Sequence, residues 1–115
     1  MDETGLSIIV PAYNEATCIA QVLNHLREIM DGAGLDYEIV VVDDGSIDAT
    51  GSVARANGFT VLHHSENRGY GAALKTGIRH AAHGLIAITD ADGTYPNEQL
   101  PERWPVHRRD QWLHL

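Results

Sequence analysis

The sequence predicts an α/β fold: a mostly parallel sheet with helices on both faces. Short apolar runs alternate with longer stretches of helical period along the chain. The runs, IVVV at 39–42 among them, are nearly continuous, which marks strands covered on both faces. Each run leads into a polar, turn-rich segment, as expected where strands of such a sheet deliver their ends to a ligand crevice.

Leu6–Val10 (LSIIV) reads as a buried strand ended by Pro11. A helix is predicted from Ala16 to Met30, with Ile19, Val22, Leu23, Leu26 and Ile29 at helical spacing and Gly32 and Gly34 to stop it. Tyr37–Val42 (YEIVVV) is the next strand. Ser46 or Asp48 can cap a second helix that runs to Ala56, and Gly58 ends it. Phe59–Leu62 is the third strand. A third helix spans Gly69 to Ala82 with Tyr70, Ala73, Leu74, Ile78 and Ala81 on one stripe, and Leu85–Thr89 (LIAIT) is the fourth strand. The order β-α-β-α-β-α-β calls for right-handed crossovers and parallel strands.

With 115 residues, 43% hydrophobic and 21% charged, the chain suits one compact domain and not two. The net charge of −8 argues against a nucleic-acid partner. No apolar run is long enough to span a bilayer, the acidic start MDETG lacks a signal-peptide pattern, and the one cysteine, Cys18, has no internal partner. A reducing, cytoplasmic setting is the expectation. Charge is uneven: residues 1–102 sum to −10 and residues 103–115, which hold both tryptophans, sum to +2.

The chemistry is expected in the four segments after the strands, PAYNE (11–15), DDGS (43–46), HHSENRG (63–69) and DADGTYP (90–96). Asp90 and Asp92 stand at i and i+2, so in an extended segment they point the same way. Two such carboxylates repel unless a cation separates them, which suits Mg²⁺ or Mn²⁺ with substrate phosphates completing the shell. The plain alternative is a solvated turn closed on Gly93. Of Asp43 and Asp44, one can accept from a base N–H or ribose hydroxyl while the other faces backbone amides; alternatively both cap the Gly45-Ser46 turn. Tyr13 can pack on a planar base and Glu15 can bind a ribose hydroxyl, or Asn14 or Glu15 merely caps the first helix.

Asn67-Arg68-Gly69-Tyr70-Gly71 fails both phosphate-loop fingerprints, because Leu74 occupies the glycine position that each requires. Arg68 still offers an anion contact, whereas Lys75 lies within the helix and faces solvent. The seven histidines show no metal-ligand spacing, and Cys18, in the first turn of a helix, reads as packing.

Taken together, SIIVPAYNE, EIVVVDDGSIDAT, NRGYGAALKTGI and AITDADGTYP resemble, in that order, the nucleotide-sugar-binding half of family-two inverting glycosyltransferases. Within the family they are most similar to the dolichyl- and polyprenyl-phosphate sugar synthases. The resemblance covers residues 5–102. It implies a GT-A fold, with a Rossmann-like sheet, that binds a UDP- or GDP-sugar. Pro11, Ala12, Tyr13 and Glu15 would then line the base and ribose site, with Val42 and Asp44 completing it; Arg68, the anion contact, is counted with the nucleotide-sugar-binding residues. Asp90, Ala91 and Asp92 would be the D-x-D element and its acids the catalytic pair: Asp92, with Asp90, would hold Mg²⁺ or Mn²⁺, and Asp90 would also reach the sugar or ribose. Several members carry a metal-assisting Gln where this chain has Thr94.

Family members continue well past this length, through the acceptor site and the basic residues that grip the diphosphate. Here ERWPVHRRDQWLHL stands instead. The sequence therefore divides into a donor-binding domain, 1–102, and an atypical tail, 103–115, expected of a truncated or frame-shifted chain. Such a chain would not transfer sugar alone. Its fourth strand would keep an open edge prone to self-association. The sub-branch implies a lipid-phosphate acceptor, and hence the cytoplasmic face of a membrane for a longer protein. Two other readings stand beside this one. The chain can be a catalytically inactive nucleotide-binding remnant. Alternatively, ITDADGT can be the D-x-D-G-T of a haloacid-dehalogenase-type phosphatase with Asp90 as nucleophile, although that motif normally opens its domain.

Overall fold

The computed structural model describes residues 2–91 and 106–112. The elements are β1 (Asp2–Ala12), α1 (Ile19–Ala33), β2 (Tyr37–Asp43), α2 (Thr50–Ala56), β3 (Thr60–His63), α3 (Tyr70–His80), β4 (His83–Ile88), β5 (His107–Arg108) and α4 (Arg109–Trp112). The predicted strands and helices thus form in the predicted order. They build one sheet in the order β3-β2-β1-β4-β5, in which the first four strands are parallel. Among the described residues no helix is long and apolar enough to cross a membrane.

Strand β1 runs through Pro11 instead of stopping there, pairing Pro11 with Val42 and Ala12 with Asp43. The geometry explains why. Ile9 and Pro11 point their backbone groups to the same side, toward β4, and the last β1–β4 pair is Ile9 with Ile88. Pro11 therefore lacks its N–H where the β4 ladder has already ended.

Helix α1 starts three residues later than its polarity suggests. Glu15 O accepts from both Cys18 N and Ile19 N, at 3.1 and 2.9 Å, and this turn precedes the helix proper. Cys18 is accordingly the N-cap residue and not a first-turn one. The helix passes through Gly32 and ends at Gly34, which is left-handed at φ 73°.

Two apolar layers sandwich the sheet. Ile8, Val10, Ile39 and Val41 face α1 and α2, meeting Ile19, Leu23, Leu26, Met30 and Ala54. Ile9, Val40, Val42, Ile86 and Ile88 face α3, meeting Ala73, Ile78 and Ala81. Gly77 lets α3 lie against the strands, since a Cβ there would sit 2.5 Å from Ile9 Cγ2. Of the predicted α3 stripe, Ala73, Ile78 and Ala81 are buried, but Tyr70 is 57% exposed. It stands at the first residue of the helix, beyond the end of the packed layer.

The tail corrects one expectation. The edge of β4 is not open along its length, because β5 pairs with it antiparallel, Leu85 opposite Arg108 and Ile86 opposite His107. Arg109 fastens this segment by donating from Nε to Ile78 O (2.9 Å) and from Nη2 to Arg79 O (2.8 Å). Both carbonyls belong to the last turn of α3, and Ile78 O also accepts from Ala81 N at 3.2 Å. Replacing Arg109 with methionine should cost about 1 kcal/mol and speed amide exchange in β5 and its β4 partners. Unchanged exchange would show that the tail is held by something else.

Candidate functional site

A cavity of about 430 Å³ opens beyond the carboxyl ends of β1, β2 and β4. Its walls come from Pro11 and Ala12 at the end of β1, Tyr13 and Glu15 after it, Asp44 after β2, Asn67, Gly69, Tyr70 and Ala73 around the start of α3, and Asp90 and Ala91 after β4. This is the position that a parallel sheet with helical crossovers reserves for ligands.

The loops are fastened to one another by side chains. Asn14, at φ 54°, accepts on Oδ1 from Ile47 N at 3.0 Å, while its own N–H donates to Ser46 Oγ at 2.9 Å. Glu15 N donates to Thr50 Oγ1 at 2.8 Å and Ala16 N to Asp48 Oδ2 at 3.2 Å. Asn14 and Glu15 are therefore not side-chain caps of α1. Asn14 instead ties the first loop to the second, which leaves the Tyr13 ring 44% exposed at the cavity.

The two neighbouring aspartates divide their roles. Asp43, 3% exposed, accepts from Ser46 N at 3.0 Å on Oδ1 and lies 3.2 Å from His63 Nδ1 on Oδ2, so it closes the turn. Asp44 faces the cavity. Its Oδ1 accepts from Arg68 N (2.9 Å) and His64 Nδ1 (2.8 Å), and its Oδ2 from Gly69 N (2.9 Å). Burial by itself would push this carboxyl up; the hydrogen bonds from His64, Arg68 and Gly69 outweigh it and hold Asp44 below the usual value.

The electrostatics of the wall are one-sided. Glu15, Asp44 and Asp90 line it, and among its described residues there is no lysine, arginine or histidine. Tyr70 stays a neutral phenol, pushed up by burial and by the Asp90 charge. A polyanionic ligand would be repelled from such a wall unless a cation came with it. Among the described residues no three His, Cys, Asp or Glu side chains converge as a metal cage. Asp90 lines this wall from the end of β4.

The profile of the family described as glycosyl transferase family 2 matches residues 7–111. The chain belongs to this family. Among the relatives of the family-2 domain is the dolichyl-phosphate hexose transferase of Haloferax volcanii, 37% identical over 97 residues, which cover 84% of this chain and 40% of that protein. Among solved structures, a mannosyltransferase from Pyrobaculum calidifontis in complex with GDP-Man and Mn²⁺ superposes with a TM-score of 0.71 at 34% identity, covering 84% of this chain and 29% of that one. The glucosyl-3-phosphoglycerate synthase of Mycobacterium tuberculosis, solved with Mn²⁺, UDP and glucosyl-3-phosphoglycerate, superposes at 0.67 with 27% identity, covering 76% of this chain and 33% of that one. The fold is that of the GT-A glycosyltransferases. The chain spans between 29% and 40% of the length of these relatives.

Most of the residues singled out from sequence meet in the family-2 cavity. Pro11, Ala12, Tyr13, Glu15, Asp44, Asp90 and Ala91 all line it. Val42 does not: it is 0% exposed and packs among the residues under α3. Its side chain points into the α3 layer two residues before Asp44 reaches the rim. Arg68 is exposed and off the wall, and it contributes its backbone N–H to Asp44 instead of its guanidinium to the cavity. Asp92 and Thr94 lie outside the described residues. Sequence reasoning missed Asn67, Gly69, Tyr70 and Ala73 as wall residues and His64 behind the wall. The NRGYG segment was the available signal, but it reads as a failed phosphate loop and not as a wall.

Proposed function

We propose that the chain is the donor-binding part of a glycosyltransferase that moves a sugar from a UDP- or GDP-sugar to an acceptor, with polyprenyl phosphate as the acceptor class. The observation that carries this is the acid-lined cavity at the strand ends, with an exposed aromatic ring at its rim. Tyr13 stacks on the base, and Asp44 accepts a base N–H. Glu15 takes the ribose hydroxyls, whose O–H groups need an acceptor. Asp90 orients the sugar or ribose and, with Asp92, holds Mg²⁺ or Mn²⁺. When bound, that cation offsets the diphosphate charge and stabilises the departing nucleoside diphosphate. The chain covers 40% of the dolichyl-phosphate hexose transferase and 29% of the mannosyltransferase, and on this reading it binds donor without transferring it. A lipid-phosphate acceptor places the longer protein at the cytoplasmic face of a membrane. The chain's relationship to the dolichyl-phosphate hexose transferase supports the acceptor class. The GDP-Man, UDP and Mn²⁺ complexes of its structural neighbours support the donor and the metal.

Calorimetry with UDP and GDP, with and without Mn²⁺, tests the reading. One of the two nucleotides should bind, at least about tenfold tighter with Mn²⁺, and Asp90→Ala should remove most of that gain. Absence of binding to either nucleotide would sink the donor-site assignment and favour an inactive remnant.

A further inference from the structure

We propose that His64 is a positioning residue for nucleotide recognition: it engages one oxygen of Asp44 so that the other is presented to the base as a hydrogen-bond acceptor. The inference rests on the reading of the cavity as a nucleotide site, and it assigns a role to a group that lies behind the wall.

His64 is 6% exposed, yet both ring nitrogens are satisfied. Nδ1 stands 2.8 Å from Asp44 Oδ1 and Nε2 stands 2.8 Å from Thr76 Oγ1 on α3. An ionised carboxylate only accepts, so the proton between His64 and Asp44 belongs to Nδ1. In the neutral ring Nε2 then accepts from the Thr76 hydroxyl, and this contact fixes the plane of the imidazole. Together with Arg68 N, the ring takes up Oδ1. Among the described hydrogen bonds Oδ2 accepts only that of Gly69 N, which leaves it capacity for a further donor. A pyrimidine or purine ring N–H supplies such a donor, and Asp44 is on the wall where that ring would lie. His64 thus acts on the nucleotide through Asp44 without touching it. His63, its neighbour, is exposed and pairs with the turn-closing Asp43, so the two adjacent histidines serve different aspartates.

The test compares His64→Leu, His64→Asn and His64→Gln in the 115-residue chain by calorimetry with UDP and GDP in the presence of Mn²⁺. The amide nitrogen of Asn overlays Nδ1 and can donate to Asp44; that of Gln overlays Nε2 and reaches Thr76 instead. His64→Leu should weaken binding about tenfold, His64→Gln by a similar factor, and His64→Asn by no more than about threefold. A role in filling space alone would favour the larger Gln over Asn, so the opposite ranking overturns the proposal. With UDP methylated at N3, or GDP methylated at N1, wild type and His64→Leu should bind alike, because the base donor is gone. Should a variant fail to fold, the unmutated chain still decides: nitrogen-15 NMR must show a proton on His64 Nδ1 whose resonance moves on nucleotide titration, and a bare Nδ1 overturns the proposal. Wild-type affinity in His64→Leu overturns it while leaving the donor site intact. Failure of the wild type to bind either nucleotide overturns the donor site, and this proposal with it.

Discussion

Replacing Asp44 with leucine is expected to lower stability by about 3 kcal/mol and to abolish nucleotide binding. Three donors converge on this carboxylate: His64 Nδ1, Arg68 N and Gly69 N, at 2.8, 2.9 and 2.9 Å. Each buried donor that loses its acceptor costs about 1–3 kcal/mol, and the two backbone donors, Arg68 N and Gly69 N, recover part of that from water. Asp44→Asn should fall between, since it keeps an acceptor oxygen but turns an amide toward donors. The same carboxylate sets an acid limit. Its folded pKa is lowered from the ordinary 3.8, so the stability contributed by the ionised form is complete above that value and is lost as pH falls through the lower folded value. Urea denaturation at pH 7 and at a series of acid pH values measures both effects. An Asp44→Leu chain as stable as wild type would show that the loop does not depend on this acceptor.

Gly45→Val should cost about 3 kcal/mol or more, enough to undo the same loop from the other side. Gly45 has φ 75°, where a β-branched side chain is strained, and a Cβ built there lies 2.3 Å from Glu66 C and 2.4 Å from Asn67 N. Those are backbone atoms, so no rotamer change relieves the contact. Gly34 separates strain from collision. Its φ is 73°, nearly the same, but nothing lies within 4 Å of its Cβ position, so Gly34→Ala should cost only about 1 kcal/mol. Thermal unfolding of the two variants should therefore differ by several degrees. Equal effects would show that the approach of residues 66 and 67 to the second loop is not tight.

Much of the site was legible because strand ends in a parallel sheet are a fixed address. Once the four apolar runs are read as strands, Tyr13, Glu15, Asp44 and Asp90 fall at their ends, and all four line one cavity. What escaped depends on where side chains point. Asp43 and Asp44 are the same residue type, and either can face a ligand. Only the placement of Ser46 N and of the 64–69 loop gave one to the turn and the other to the cavity. Val42 belongs to the strand that leads into the site, but it stands two residues before Asp44, one pleat short of the rim, and so stays in the α3 layer. Tyr70 has the right period for the core stripe, yet it sits where α3 has passed the sheet's edge, so it becomes wall.

The tail shows the limit of periodic reading from another direction. RDQW is too short to display a helical period, and a two-residue strand has no pattern at all. These elements exist because β4 offers an edge to pair with and the last turn of α3 offers carbonyls to Arg109, and both are created elsewhere in the chain.

By itself the sequence determined the order of strands and helices, the parallel sheet and the loops that hold the chemistry, since all of these follow from local period and composition. The tertiary structure alone decided which aspartate meets the cavity, that His64 stands behind it with both nitrogens engaged, and that residues 107 and 108 cover part of the β4 edge. Local period says which residues are apolar and how they repeat. Partners 12 to 25 positions away, as between His64 and Thr76 or Asp44 and Gly69, are chosen only when the chain closes on itself.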